Sequence, residues 1–333
     1  MGVAIRDILL DYRKSVGWEE LSGVAAVDAH NALYQFLSII RQPDGTPLMD
    51  SRGRITSHLS GILFRSLNFI EKGIKPVYIF DGTPPQFKSE TVEQRREVRR
   101  EADVRWREAL AIGDMDEAYK QARSSSRIDD YVRQSAKELL TLMGIPWVEA
   151  PSEGEAQAAW MVERGDATYT VSQDYDALLF GSPLLVRNLT VSGRRKVRGR
   201  SIVIAPERIV LSELLEGLQI TREDLINIGI LVGTDFNAGV RGIGPKTALK
   251  LAQRGEVEAA IRENLPDENA ELIREFFLHP PVTTEYRLAW EQPDEEKILS
   301  MLVDTHDFSY ERVKSALQKI RESSGQKTLD RWF

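Results

Sequence analysis

The 333-residue chain contains no cysteine, which excludes disulfides, thiolate catalysis and zinc sites built on sulfur; its length permits a sizeable buried core without such staples. The four histidines, His30, His58, His279 and His306, stand at no metal-ligand spacing, so any metal is expected on oxygen ligands. The start MGVAIRDILLDYRKS lacks the order of a secretory signal and no apolar run approaches a membrane span of about 20 residues, so a soluble, intracellular protein is expected.

Taken in chain order, apolar β-branched runs alternate with helical patterns, the mark of an α/β fold. Strands are expected at Val24–Val27, Val77–Phe80, Pro146–Glu149, Thr168–Val171 and Ile202–Ile204. Between the first two, Ile55 to Lys72 carries apolar residues at three- and four-residue spacing and is followed by Gly73, which predicts a helix with a glycine stop. Asp129 to Met143 reads the same way, ending before Gly144. Residues 86 to 128 are highly charged with few core positions, so they are not deeply buried. A solvated helical hairpin is one reading of that segment; the other is a basic face, with Arg95 and Arg99, and Arg96 and Arg100, four apart. The formal charge of −7 disfavours phosphate binding by the whole surface, yet Arg187, Arg194, Arg195, Lys196, Arg198 and Arg200 form a stretch without an acid. From about Thr221 onward short helices replace strands, and the last stretch, 323–333, is polar until an apolar end.

Acids stand at the carboxyl ends of the expected strands, where an α/β fold builds its site. Asp28 ends VAAVDAH, and Asp81 ends KPVYIFDG. Glu153 and Glu155 follow the Pro146–Glu149 strand, Asp174 and Asp176 follow Thr168–Val171, and Asp235 follows an apolar helical run. Each alone is an ordinary turn or cap residue, and Ser152 with Glu155 has the form of a capping box. Together they are costly unless cations lie between them, and oxygen ligands select magnesium or manganese. Two such ions would support hydrolysis of a phosphodiester by in-line attack of water. No P-loop and no G-x-S-x-G elbow is present, against a P-loop NTPase or a serine hydrolase.

The blocks MGV, VDAHNALYQFL, GIKPVYIFDGTPPQFK, GIPWVEAPSEGEAQAAW, SQDYDALLFG, LVGTDFNAGVRGIGPKTALKL and QKTLDRWF recur in order along the whole chain. In these the sequence resembles the archaeal flap endonucleases, of one superfamily with the XPG-type and 5'-exonuclease enzymes. The resemblance implies a PIN-like mixed sheet flanked by helices over 1–222, a helical arch at about 86–130 and a helical region over 223–322. That region includes a helix-two-turn-helix DNA-binding element, and a flexible tail would occupy 323–333.

It also implies a 5'-flap endonuclease with 5'-3' exonuclease activity, acting in lagging-strand replication and long-patch base excision repair. Asp28, Asp81, Glu153, Glu155, Asp174, Asp176 and Asp235 match the metal-binding acids, two Mg2+ per site with Mn2+ able to substitute. The first four would serve mainly one ion and the last three the other. Lys88 and Arg95 match residues that reach the scissile phosphate, and with Asp28, Asp81, Glu153 and Asp176 they make up the catalytic set. Tyr34 matches an aromatic that stacks on a base; its bland alternative is a core position on an amphipathic helix. Arg65, Gly242, Gly244, Lys246 and Lys250 complete the DNA contacts, with a monovalent cation at the glycine turn.

Gln326, Leu329, Trp332 and Phe333 match the peptide that docks on the DNA sliding clamp, against the alternative of a tail folded on its own surface. Thr83 departs from the pattern, standing where many members carry lysine. The implied partners are branched DNA and the clamp, for a monomer without a membrane, in an archaeal cytoplasm. Three other readings remain open: a related junction or repair nuclease, a non-catalytic DNA-binding adaptor, and a phosphatase for small phosphates.

Overall fold

The computed structural model describes residues 2–42, 44–85, 87, 97, 98, 100–102, 104–106, 108, 109, 112, 114, 117, 120, 121, 126–190, 193–197, 200–265 and 267–329. At 193–197, 200–203, 267, 268 and 323–329 the backbone alone is described. Lys88, Arg95, Trp332 and Phe333 lie outside the described residues, as do the side chains of Gln326 and Leu329. The backbone divides into two compact units that interleave along the chain: Met1–Ala29, Ile79–Glu93 and Glu149–Glu285 form the first, and His30–Tyr78, Gln94–Val148 and Tyr286–Phe333 the second.

Nine strands are described: β1 (Lys14–Ser15), β2 (Gly23–Asp28), β3 (Ile74–Phe80), β4 (Trp147–Glu149), β5 (Tyr169–Val171), β6 (Leu184–Arg187), β7 (Gly193–Val197), β8 (Arg200–Ile204) and β9 (Glu207–Val210). Seven form a sheet in the order β1-β9-β6-β5-β2-β3-β4, and β7 with β8 is a separate two-stranded sheet. The carboxyl ends of β3 and β4 belong to the first unit, where the amide of Ala150 donates to the carbonyl of Phe80 at 2.8 Å.

The sheet is mixed: β2 pairs with β5 and β5 with β6 in parallel, whereas β9 runs antiparallel to β6 and β1. Parallel strands carry helices on both faces and so read as unbroken apolar runs; β5 is buried at all of its positions. The sequence pattern found β2, β3, β4, β5 and β8, with ends shifted by a residue or a few, and missed β1, β6, β7 and β9.

Helices Gly154–Glu163, Leu211–Leu218, Arg222–Val232, Pro245–Gln253, Val257–Asn264 and Asp267–Leu278 fill out the first unit. Thr221 caps Arg222–Val232 by accepting from the Asp224 amide, with Asp224 reciprocating in a capping box. Leu225, Ile226, Ile228, Ile230 and Leu231 of that helix are all inaccessible, so it runs through core on every side.

In the second unit, Ser57–Glu71 packs against Asp130–Leu142 and Tyr310–Leu329. The two helices expected at 55–72 and 129–143 are thus present with slightly inset ends. Asp129 caps the second by accepting from the Val132 amide at 2.9 Å. Within 97–121 the described residues are mostly helical, and Val98, Val104 and Ile112 are exposed while Ala102 and Ala109 are buried. Helix Tyr310–Leu329 runs into the segment expected as a tail. Among the described residues no helix is long and apolar enough to cross a membrane.

Candidate active site

The register Val27↔Val171 aligns the carboxyl ends of β2 and β5, so Asp28, the last residue of β2, comes beside Ser172, the first after β5. Their side chains meet: Ser172 Oγ donates to Asp28 Oδ2 at 3.3 Å and to Glu155 Oε1 at 2.6 Å. The same hydroxyl oxygen accepts from the Asp174 amide at 3.1 Å. One serine thereby ties together acids from three segments. Sequence reasoning passed over it, although a short hydroxyl at the end of a buried strand, two before Asp174, was a usable signal.

Glu155 stands in the first turn of helix Gly154–Glu163, whose cap residue is Glu153. The capping box weighed for Ser152 and Glu155 does not form: the helix has no side-chain cap, Glu155 turns to Ser172, and the buried Ser152 Oγ has no partner among the described residues. Asp81, just beyond β3, accepts from the amide of Gly154 at 2.7 Å, which places it beside the residue between Glu153 and Glu155. An acid at a helix amino terminus is favoured by the free amides and the helix dipole there.

Asp176 begins the short helix Asp176–Leu179 and is 5% exposed. Asp235 sits in a turn made rigid by its neighbours: the amide of Thr234 donates to Asn237 Oδ1 at 3.1 Å, that of Phe236 to Thr234 Oγ1 at 3.0 Å, and Asn237 Nδ2 to the Ile230 carbonyl at 2.7 Å.

These acids repel one another. Burial pushes the Asp176 carboxyl up to about 8, with Asp235 and Asp174 adding to the effect and the Val3 amide partly offsetting it. Burial likewise raises Glu155 well above the carboxylate range, reinforced by Asp176, Asp28 and Asp174, against the hydrogen bond from Ser172. Glu155 therefore feels acids from both of the groups expected to serve separate ions.

Among the described residues no three acid or histidine side chains close into a direct ligand shell. An all-oxygen set under mutual repulsion still fits a hard divalent cation that keeps waters between itself and the carboxylates.

The remaining predicted residues are placed separately. In the first unit Gly242 adopts φ +89° and Gly244 caps helix Pro245–Gln253; the left-handed backbone at 242 is what glycine permits. Ala248 and Ala252 of that helix are buried, which leaves Lys246 and Lys250 exposed on its other side. In the second unit Tyr34 is 39% exposed, so it is not the core residue of the bland alternative. Arg65, half-buried in Ser57–Glu71, has its guanidinium pushed down by burial, with Tyr78 acting the other way.

The XPG N-terminal domain matches residues 1–102 and the XPG I-region residues 144–235. Flap endonuclease 1 of Methanoculleus marisnigri is 65% identical over 333 residues, covering all of both chains. The chain belongs to the flap endonuclease 1 family. The structure of flap endonuclease-1 from Methanococcus jannaschii superposes with a TM-score of 0.78 at 41% identity, over 96% of this chain and 99% of that one. The catalytic core of Rad2 in complex with DNA substrate shares the fold, with a TM-score of 0.71 at 22% identity over 95% of this chain and 99% of its own. Asp174 and Asp176 of this family member lie within the I-region match, and Asp28 and Asp81 within the N-terminal one.

Proposed function

We propose that this chain hydrolyses a phosphodiester bond at the junction of a 5' flap with duplex DNA, and that it also trims 5' ends exonucleolytically. Water adds across one P–O bond and leaves a ligatable nick, the product required in lagging-strand replication and long-patch base excision repair. The observation that carries the reading is the gathering of acids where β2 and β5 end, with Ser172 bonded to Asp28, Glu155 and the Asp174 amide, in a chain matched end to end by flap endonuclease 1.

Asp28, Asp81, Glu153, Glu155, Asp174, Asp176 and Asp235 would hold two Mg2+, or Mn2+ in their place. Such ions, when bound, supply Lewis acidity toward the phosphate and lower the pKa of water. The chain's own part is to orient. Ser172 fixes Asp28 and Glu155 relative to each other; Lys88 and Arg95 offset charge developing on the phosphate; Tyr34 offers a ring face to an unpaired base.

Exposed Lys246 and Lys250 follow the glycine turn at Gly242 and Gly244 on helix Pro245–Gln253, a surface suited to the duplex backbone and to a monovalent cation. Arg65 adds charge to the same task. Gln326, Leu329, Trp332 and Phe333 form the peptide for the sliding clamp. End-labelled 5'-flap duplex, plain duplex and single strand, each incubated with Mg2+ or with chelator, test the reading. Mg2+-dependent cutting confined to the flap junction and to 5' ends supports it, and equal cutting of all three, or cutting in chelator, refutes it.

A further inference from the structure

Arg187 opens the basic stretch that runs to Arg200, a run suited by its charge to DNA phosphates, but the structure withdraws it from that surface. Its side chain is 14% exposed, at the end of β6. Nε and Nη2 both donate to the backbone carbonyl of Gln173, at 3.0 and 2.9 Å, and Nη1 donates to the Tyr175 hydroxyl at 2.6 Å. The guanidinium also lies 4.2 Å from the centroid of the Tyr175 ring, a cation–π contact.

Behind it stands Glu207 of β9, 3.8 Å from Nη1. Glu207 is itself gripped by Arg13, whose Nε and Nη2 donate to its carboxylate at 2.8 to 3.0 Å. Glu207, fixed by Arg13, thus stands within ion-pair range of the arginine, whose planar fork bonds the loop.

What it holds matters. Gln173 and Tyr175 flank Asp174, and Tyr175 is also the cap residue from which helix Asp176–Leu179 starts. The parallel register Val171↔Val186 brings Arg187 level with Ser172, so strand pairing delivers the guanidinium to the loop as it leaves β5. Between Val171 and Asp176 the loop has no helix or strand of its own. Among the bonds that shape it are those of Ser172 on one side and of Arg187 on the other.

We propose that Arg187 is a positioning residue for the acidic loop: by clamping the Gln173 carbonyl and the Tyr175 ring it sets where Asp174 and Asp176 present their carboxylates to a divalent cation. The proposal rests on the reading of these acids as a cation site. A lysine cannot take this role, because an ammonium is a point donor without the rigid two-sided fork.

Three variants, Arg187→Ala, Arg187→Lys and Tyr175→Phe, separate this role from its rivals. Mn2+ affinity is measured by electron paramagnetic resonance, flap-DNA affinity in chelator by fluorescence anisotropy across a salt series, and single-turnover cleavage with Mg2+. Supporting residues around a metal site are worth about 10- to 100-fold in affinity or activity, and a loss of that size is expected for both Arg187 variants in Mn2+ binding and in cleavage. Flap-DNA affinity and its salt slope stay at wild-type values. Tyr175→Phe, which deletes one hydroxyl, shows a smaller loss in the same two readouts and carries the test if Arg187→Ala fails to fold.

Wild-type Mn2+ affinity in folded Arg187→Ala or Arg187→Lys overturns the proposal, as does weaker DNA binding with a flattened salt slope, the sign of a phosphate contact. A role in stability alone lowers the melting temperature and leaves Mn2+ affinity unchanged in the folded variants, and so also overturns it. If wild-type protein binds no Mn2+, the cation reading fails, and the positioning proposal falls with it.

Discussion

The backbone amide of Val3 donates a 2.6 Å hydrogen bond to Oδ1 of Asp176, so the amino-terminal segment is part of the acidic site. Space there is tight: a Cβ added to Gly2 would stand 2.7 Å from Asp174 Cβ and 2.8 Å from Asp176 Oδ1. Gly2→Ala must displace one or both acids. Displacement of about 1 Å costs up to about 100-fold in rate, and Gly2→Ala is expected to slow single-turnover flap cleavage about 10- to 100-fold without weakening flap binding. Asp176→Ala is expected to abolish cutting with binding retained. Full activity in either variant contradicts this placement of the site.

Glu155 is held at a cost, since burial and three neighbouring acids disfavour its charge. Relief of such strain at a functional site raises stability on the order of 1 kcal/mol. In chelator, Glu155→Gln should therefore melt a few degrees above wild type while losing cleavage, and Mg2+ should narrow the gap by stabilising wild type more. A metal-free variant less stable than wild type would show that the carboxylate is compensated by the protein alone.

His58 gives the fold an acid limb. It is fully buried, its Nε2 lies 2.7 Å from Ser135 Oγ, and its ring meets Tyr131 edge-on. Burial, with His306 adding to it, pushes its pKa down to about 3 from an ordinary 6.5. Between those values the unfolded chain takes up a proton that the folded protein refuses, so stability falls with pH from 6.5 toward 3 and is constant with respect to this group above 6.5. The full loss is on the order of 5 kcal/mol. Urea unfolding at pH 7.5 and pH 5 should show the drop in wild type and a smaller one in His58→Gln; identical drops would assign the limb to other groups.

The β7–β8 hairpin pairs Arg194 with Val203, Arg195 with Ile202 and Val197 with Arg200. The stretch from Arg194 to Arg200 holds five basic residues and no acid. Each phosphate neutralised contributes about −0.9 to the slope of log affinity against log salt. Glutamine at 194, 195, 196, 198 and 200 together should flatten that slope by about one unit or more for flap DNA, and an unchanged slope would exclude the hairpin from the interface.

For the tail, Trp332→Ala with Phe333→Ala should remove binding to an archaeal sliding clamp in calorimetry and leave clamp-independent flap cleavage at the wild-type rate. Clamp affinity equal to wild type would exclude these aromatics as the anchor, because buried aromatic side chains carry most of the energy of such contacts.

The sequence by itself determined the α/β class, the long helices and five of the strands, because apolar periodicity reports which face of an element is buried. It also put forward the seven acids as candidates, since strand ends and the blocks around them are local in the chain. What it did not carry was pairing. β1, β6 and β9 are short, and their places in the order β1-β9-β6-β5-β2-β3-β4 follow from hydrogen bonds between segments far apart in the chain.

The same holds for the residues that shape the site. Val3 reaches Asp176 across 173 positions of the chain, Ser172 joins Asp28 to Glu155, and Arg187 belongs to the acidic loop rather than to the basic stretch that follows it. Composition can say that a residue is charged or small. Only tertiary structure decides which partner is within 3 Å of it, and at that range hydrogen-bond geometry and desolvation set its chemistry.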